Sequence, residues 1–199
     1  MLNFIDDIIK TNRLMKVSFH RFPEQIQLAL YNYLTCVSYA DSGTIWISGQ
    51  EETCSFRTKF EKKKLSFTMV AFGKEIKATS TNLNSIQTIQ PNLVIPKELF
   101  IIPRALGGLE VNFIYEYDLT KPVLLEITRE CVLVSYRSNA MDDKTISFVL
   151  NRMFGSIFQI TLKNETGVYA RLIIPKLQVS IKKGREALLL TAPAQMNEL

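Results

Sequence analysis

The segment FRTKFEKKKLSF, residues 56–67, brings residue types suited to chemistry closest together. Arg57, Lys59, Lys62, Lys63 and Lys64 can neutralise phosphates while Phe56 or Phe60 stacks on bases, so the spacing admits contact with a nucleic-acid backbone. A simpler explanation competes with it: the phenylalanines turn to a core, and the lysines mark a solvated turn or an edge strand guarded against aggregation. The simpler one is preferred, because only KKGRE at 182–186 is comparably basic elsewhere. The net charge of +5 suits an anionic partner, but the excess is thinly spread.

Catalytic machinery is harder to assemble. The single histidine, His20, stands beside Arg21 where a predicted strand meets a helix, a place more typical of a capping or surface residue than of a general base. No nucleophile elbow, phosphate-cradling glycine loop or two-histidine metal motif is present. Neighbouring carboxylates occur at Asp6 and Asp7, Glu51 and Glu52, and Asp142 and Asp143. In an extended segment Glu51 and Glu52 point to opposite faces, and the last pair suits a helix N-terminus. Cys36, Cys54 and Cys131 are odd in number and lack CxxC spacing, which fits reduced thiols better than a zinc site. No catalytic residue, metal or cofactor is therefore assigned. A non-enzymatic role is favoured, with a composite site drawn from distant parts of the chain still open.

These residues must be positioned by some 199 residues of ordinary globular composition, 47% hydrophobic and 22% charged. No apolar run approaches the roughly 20 residues that cross a bilayer as a helix. The opening MLNFIDDIIK has acids inside its apolar run and no basic lead, unlike a secretory signal. The expectation is an intracellular, cytoplasmic protein without membrane contact, and the sequon at Asn164 carries no weight in that setting.

Periodicity suggests an α+β fold built from repeated helix-plus-antiparallel-strand units, with helices packed on one face of antiparallel sheets. A short helix is expected over 2–12 and a strand over 14–20. The first unit then starts at Pro23 with a helix continuing to residue 39, stopped by Asp41, Ser42 and Gly43. Strands are expected at TIWISGQ, TCSFRTKF and KLSFTMVAF. The second unit has a helix over 96–108 and strands at LEVNFIYEY, PVLLEIT and CVLVSYRS. The third has a helix at DDKTISFVLNRMFG, ending in a left-handed Gly155, and strands at SIFQITLKN, VYARLIIPKL, QVSIKK and ALLLTA. The polar stretch 80–92 is the natural connection, giving an N-terminal unit at 1–80 and a C-terminal region at 81–199, or one continuous domain.

Two family resemblances accompany this pattern. QIQLALYNYLTCVSYADSGTIWIS is similar to the helix-plus-strand of histidine-kinase-like ATPase domains, and LNRMFGSIFQITLKNETGVYARLIIP to their last helix and hairpin. The resemblance implies a nucleotide-binding fold with Asn32 at the magnesium–phosphate position. Cys36 stands where such domains carry a second asparagine, and MVAFGKE has no adenine-reading aspartate, which implies a degenerate, inactive relative. PRALGGLEVNFIYEYDLTKPVLLEI resembles the helix and paired strands of sliding-clamp subunits, which implies a protein that encircles DNA. The helix after Pro23 has no lysine or arginine for such contact.

The leading expectation is a protein-interaction or assembly module of a larger intracellular complex, with a protein partner or a homo-oligomer. The degenerate nucleotide-binding fold and a basic nucleic-acid-binding or clamp-like protein are the alternatives.

Overall fold

Residues 36–47 alternate well enough to be a strand, and in the folded chain they are one. The computed structural model describes residues 21–61, 64–71, 74–78, 96–100, 116–141, 143–181 and 188–193. Within them lie one α-helix, α1 (Glu24–Thr35), a short 3-10 helix (Lys97–Phe100) and ten strands. The strands are β1 (Cys36–Ile47), β2 (Cys54–Glu61), β3 (Lys64–Ala71), β4 (Lys74–Ala78), β5 (Leu124–Ile127), β6 (Cys131–Arg137), β7 (Thr145–Asn151), β8 (Ile157–Asn164), β9 (Gly167–Ile181) and β10 (Leu188–Thr191). They form a single antiparallel sheet in the order β4-β3-β2-β1-β9-β8-β7-β6-β5, with β10 also paired to β9.

This overturns the expected α+β fold of repeated helix-plus-strand units. The helix begins as read: the amides of Ile26 and Gln27 both donate to the Pro23 carbonyl. It ends at Thr35 rather than residue 39, because Ser38 to Ile45 pair with β2 and most of β1 pairs with β9. Two ladders outweigh a weak local helical preference. Asp41, Ser42 and Gly43 therefore lie mid-strand. The third expected helix is β7: Thr145, Ile146, Ser147, Phe148 and Val149 alternate with period two and pair on both sides. Of the second, only the 3-10 turn is described. The expected helix at 2–12, strand at 14–20 and His20 lie outside the described residues, as does most of LEVNFIYEY.

Cross-strand partners share a face of the sheet. Val134, Phe148, Ile160, Leu172, Ile45 and Cys54 are successive partners across β6, β7, β8, β9, β1 and β2. All six are buried, and Tyr136, Ile146, Leu162 and Ala170 form a parallel buried row. Each large aliphatic or aromatic side chain so placed contributes about 1.5–3 kcal/mol. Phe22, Ile26 and Ala29 bring α1 into the same core, together with Leu99, Tyr117 and Leu119. The rows on the other face are more polar. There the Ser135 and Ser147 hydroxyls meet at 2.7 Å, and Gln159 Nε2 donates to Thr161 Oγ1 at 3.0 Å.

β9 is long because it serves two partners on one edge: β8 as far as Ile173, then β10 from Lys176. Pro175, which has no amide proton, sits in the gap between them, and its carbonyl accepts from the Ala192 amide. Opposite this gap the β1–β9 register shifts between Ser42 and Thr44. A Cβ at Gly43 would overlap the Ile173 carbonyl. Gly43→Ala should therefore lower stability by about 1–3 kcal/mol, read as a drop in the urea midpoint at unchanged m-value.

Candidate functional site

Strand alternation sorts the basic residues of β2. Phe56 is buried, with Gly43 and Met69 as ladder partners, so it belongs to the core and cannot stack on a base. Arg57 and Lys59 are exposed on the opposite face. Their ladders complete a surface that the sequence did not suggest. Lys176, Ser42, Arg57, Thr68 and Lys77 form one row across β9, β1, β2, β3 and β4. Leu189, Gln178, Ala40, Lys59 and Ser66 form the next, across β10, β9, β1, β2 and β3. Neither row contains a carboxylate or an aromatic residue. A shallow cavity of about 460 Å³ opens here, lined by Ala40, Ser42, Arg57, Lys59, Lys176 and Gln178 among others. Asp41 and Thr58 belong to the other face by alternation and reach the cavity at its floor.

Lys62 and Lys63 lie outside the described residues, and Lys64 is the first residue of β3, opposite Glu61. Asn32 falls in the last turns of α1. The stretch 150–175 that suggested the last helix and hairpin of an ATPase domain is the end of β7, a turn, β8 and half of β9, with no helix. The turn does use Gly155 as expected, in a left-handed conformation (φ 64°), but to reverse a strand. Its amide donates to the Asn151 carbonyl, while Asn151 Oδ1 accepts from the amides of Met153 and Phe154.

The second surface is the far edge of the sheet. Leu125 extends the buried row beyond Val134, yet it is 45% exposed; Ile127, opposite buried Val132, is 54% exposed. Val123 and Leu124 beside them are 53% and 40% exposed. No described strand pairs with the outer side of β5. The opposite edge strand, β4, reads KEIKA and is guarded by charge. β5 reads LLEI, with Glu126 its single charge among three large aliphatic residues.

A third polar cluster is interior. Lys144 Nζ donates to Glu98 Oε1 and, at 3.3 Å, to Glu116 Oε1. Burial pulls the Lys144 ammonium down, but the hydrogen bond and charge of Glu98 prevail and hold it above the usual lysine range. Burial likewise pushes the Tyr117 and Tyr169 phenols beside it upward. This ion cluster ties the 3-10 helix and the segment at Glu116 to β7. Cys54 and Cys131 are free and buried, and burial followed by the Glu52 charge raises the Cys54 thiol, the opposite of an activated nucleophile. Among the described residues no three His, Cys, Asp or Glu side chains group to hold a metal. No described helix is long and apolar enough to cross a membrane.

No family model matches the chain, and no curated protein sequence does. Among solved structures it is similar to MucB, at 12% identity over 84% of this chain with a TM-score of 0.46. The complex of MucA and MucB from Pseudomonas aeruginosa aligns at 13% identity over 85%, TM-score 0.45. A LolA superfamily protein from Nitrosomonas europaea aligns at 7% identity over 85% of each chain, TM-score 0.27. The chain spans 60% to 64% of the length of the MucB chains. These neighbours lend no support to the intracellular location expected from the sequence.

Proposed function

We propose that this chain is a non-enzymatic protein-interaction module that takes an extended segment of a partner polypeptide along β5. The observation that carries this is the run of Leu125 and Ile127 out of a buried ladder into solvent, at an edge whose backbone no described strand covers. An added strand would satisfy the amides and carbonyls of that edge, and its apolar side chains would cover Val123, Leu125 and Ile127. A second copy of the chain is a poorer fit, because self-pairing of a four-residue strand buries less than a stable dimer needs.

Amide hydrogen exchange of residues 124–127, with and without a synthetic peptide of alternating valine and threonine, tests the proposal. Protection should rise on addition of the peptide, and Leu125→Lys with Ile127→Lys should weaken peptide binding by tenfold or more, about 1.4 kcal/mol. Protection, in the isolated monomeric chain, of the alternate β5 amides that point away from β6 would sink the proposal. A dimer that forms through β5 with rising concentration would hand the edge to a second copy instead.

A further inference from the structure

We infer that the basic face of β9, β1 and β2 is a small-molecule site for a diphosphate group, held by Arg57, Lys59 and Lys176. Arg57 and Lys176 flank Ser42 from its two sides in the ladder, so their Cα atoms lie about 10 Å apart. Lys59 follows Arg57 at the next outward position, about 7 Å along the strand. The three long side chains can converge on one anionic group above the cavity. Arg57 supplies a planar fork that matches two phosphate oxygens, and the lysines supply point charges.

The surroundings fit the same ligand. Ser42, Thr68 and Gln178 line the cavity and can donate hydrogen bonds, and the two ladder rows nearest it hold no carboxylate, Glu61 and Glu75 falling in the rows beyond on the same face. Asp41, at the floor, is buried and belongs to the opposite face by alternation, so it lowers the local potential without occupying the face. Leu189, 66% exposed at the rim, offers apolar contact to an organic moiety carrying the diphosphate. The cavity volume lies within the ordinary range for small ligands. A nucleic-acid strand fits less well, because the two ladder rows that line the cavity hold no aromatic side chain for base stacking, Trp46 lies four residues along β1 from Ser42, and Phe56 is turned into the core.

Trp46, the one tryptophan, is half exposed on the same face of β1, four residues beyond Ser42, and provides a fluorescence signal. The intact chain is titrated at low salt with inorganic pyrophosphate, with adenosine diphosphate and with a single-stranded oligothymidylate, with isothermal calorimetry as a second readout. Saturable binding of pyrophosphate or the nucleotide is expected. Arg57→Gln and Lys176→Gln should each weaken it about tenfold while leaving the urea midpoint unchanged, since both are surface changes. Preference for the nucleotide would identify an organic diphosphate; equal or tighter pyrophosphate binding would identify the inorganic ion. Absence of saturation by either diphosphate, or binding indifferent to both substitutions, overturns the inference. So does tighter oligothymidylate binding with a log–log salt slope steeper than about −2, the value for three single-strand contacts, because the face would then be a nucleic-acid track.

Discussion

Replacing Lys144 by methionine is expected to cost about 3–5 kcal/mol of stability, the usual loss when one member of a buried ion cluster is removed. The variant leaves Glu98, almost wholly buried, and Glu116, largely buried, facing each other without a cation. The penalty comes mainly from those stranded carboxylates, so adding Glu98→Gln and Glu116→Gln to Lys144→Met should restore part of the loss. Urea denaturation of the single and triple variants measures both. A single variant as stable as the parent would show that the 3-10 helix and the segment at Glu116 do not depend on this cluster.

The same cluster sets an alkaline limit. The folded state holds the Lys144 proton more tightly than the unfolded chain does, since the group lies above its ordinary value near 10.4. Its contribution is therefore complete below that pH and is lost as pH rises through the folded value. Stability of the parent should fall above about pH 10 with a steeper slope than that of Lys144→Met.

Gly155→Ala should be the next most damaging change, at roughly 3 kcal/mol or more. Two costs add. The left-handed backbone, φ 64°, disfavours any side chain by about 1–2 kcal/mol. The new Cβ would also lie 2.7 Å from the Ala29 amide nitrogen and 2.8 Å from the Gln25 carbonyl oxygen, so α1 must move off the β7–β8 turn. Gly167→Ala carries a positive-φ backbone cost of its own but no clash, because Gly167 has φ 112° and open space where its Cβ would be. If the two variants unfold at the same urea concentration, α1 is not seated on the turn as the structure shows.

Much of the strand inventory was legible in the sequence. CSFRTKF, KLSFTMVA, CVLVSYR, IFQITLK and LLLT declare themselves by β-branched and aromatic residues between polar breaks, and Pro23 and Gly155 declare a helix start and a left-handed turn. These are local properties: a side chain's preference and the two-residue period act within a few residues. Partnership is not local. Thr145–Asn151 carries enough aliphatic residues to fit either period, and only pairing with β6 and β8 makes it a strand. Cys36–Tyr39 leaves the helix because β9 and β2 flank β1. β9 runs through Pro175 because its neighbours change there. The two candidate surfaces follow the same division. Arg57 and Lys59 were visible as a basic run, but Lys176 joins them only because the register sets it beside Ser42. Leu125 and Ile127 read only as part of the strand PVLLEIT, and the strand order leaves them at an edge that no described strand covers. Sequence determined which residues alternate; the tertiary structure decided which strands meet, because register depends on long-range closure that no short window of the chain contains.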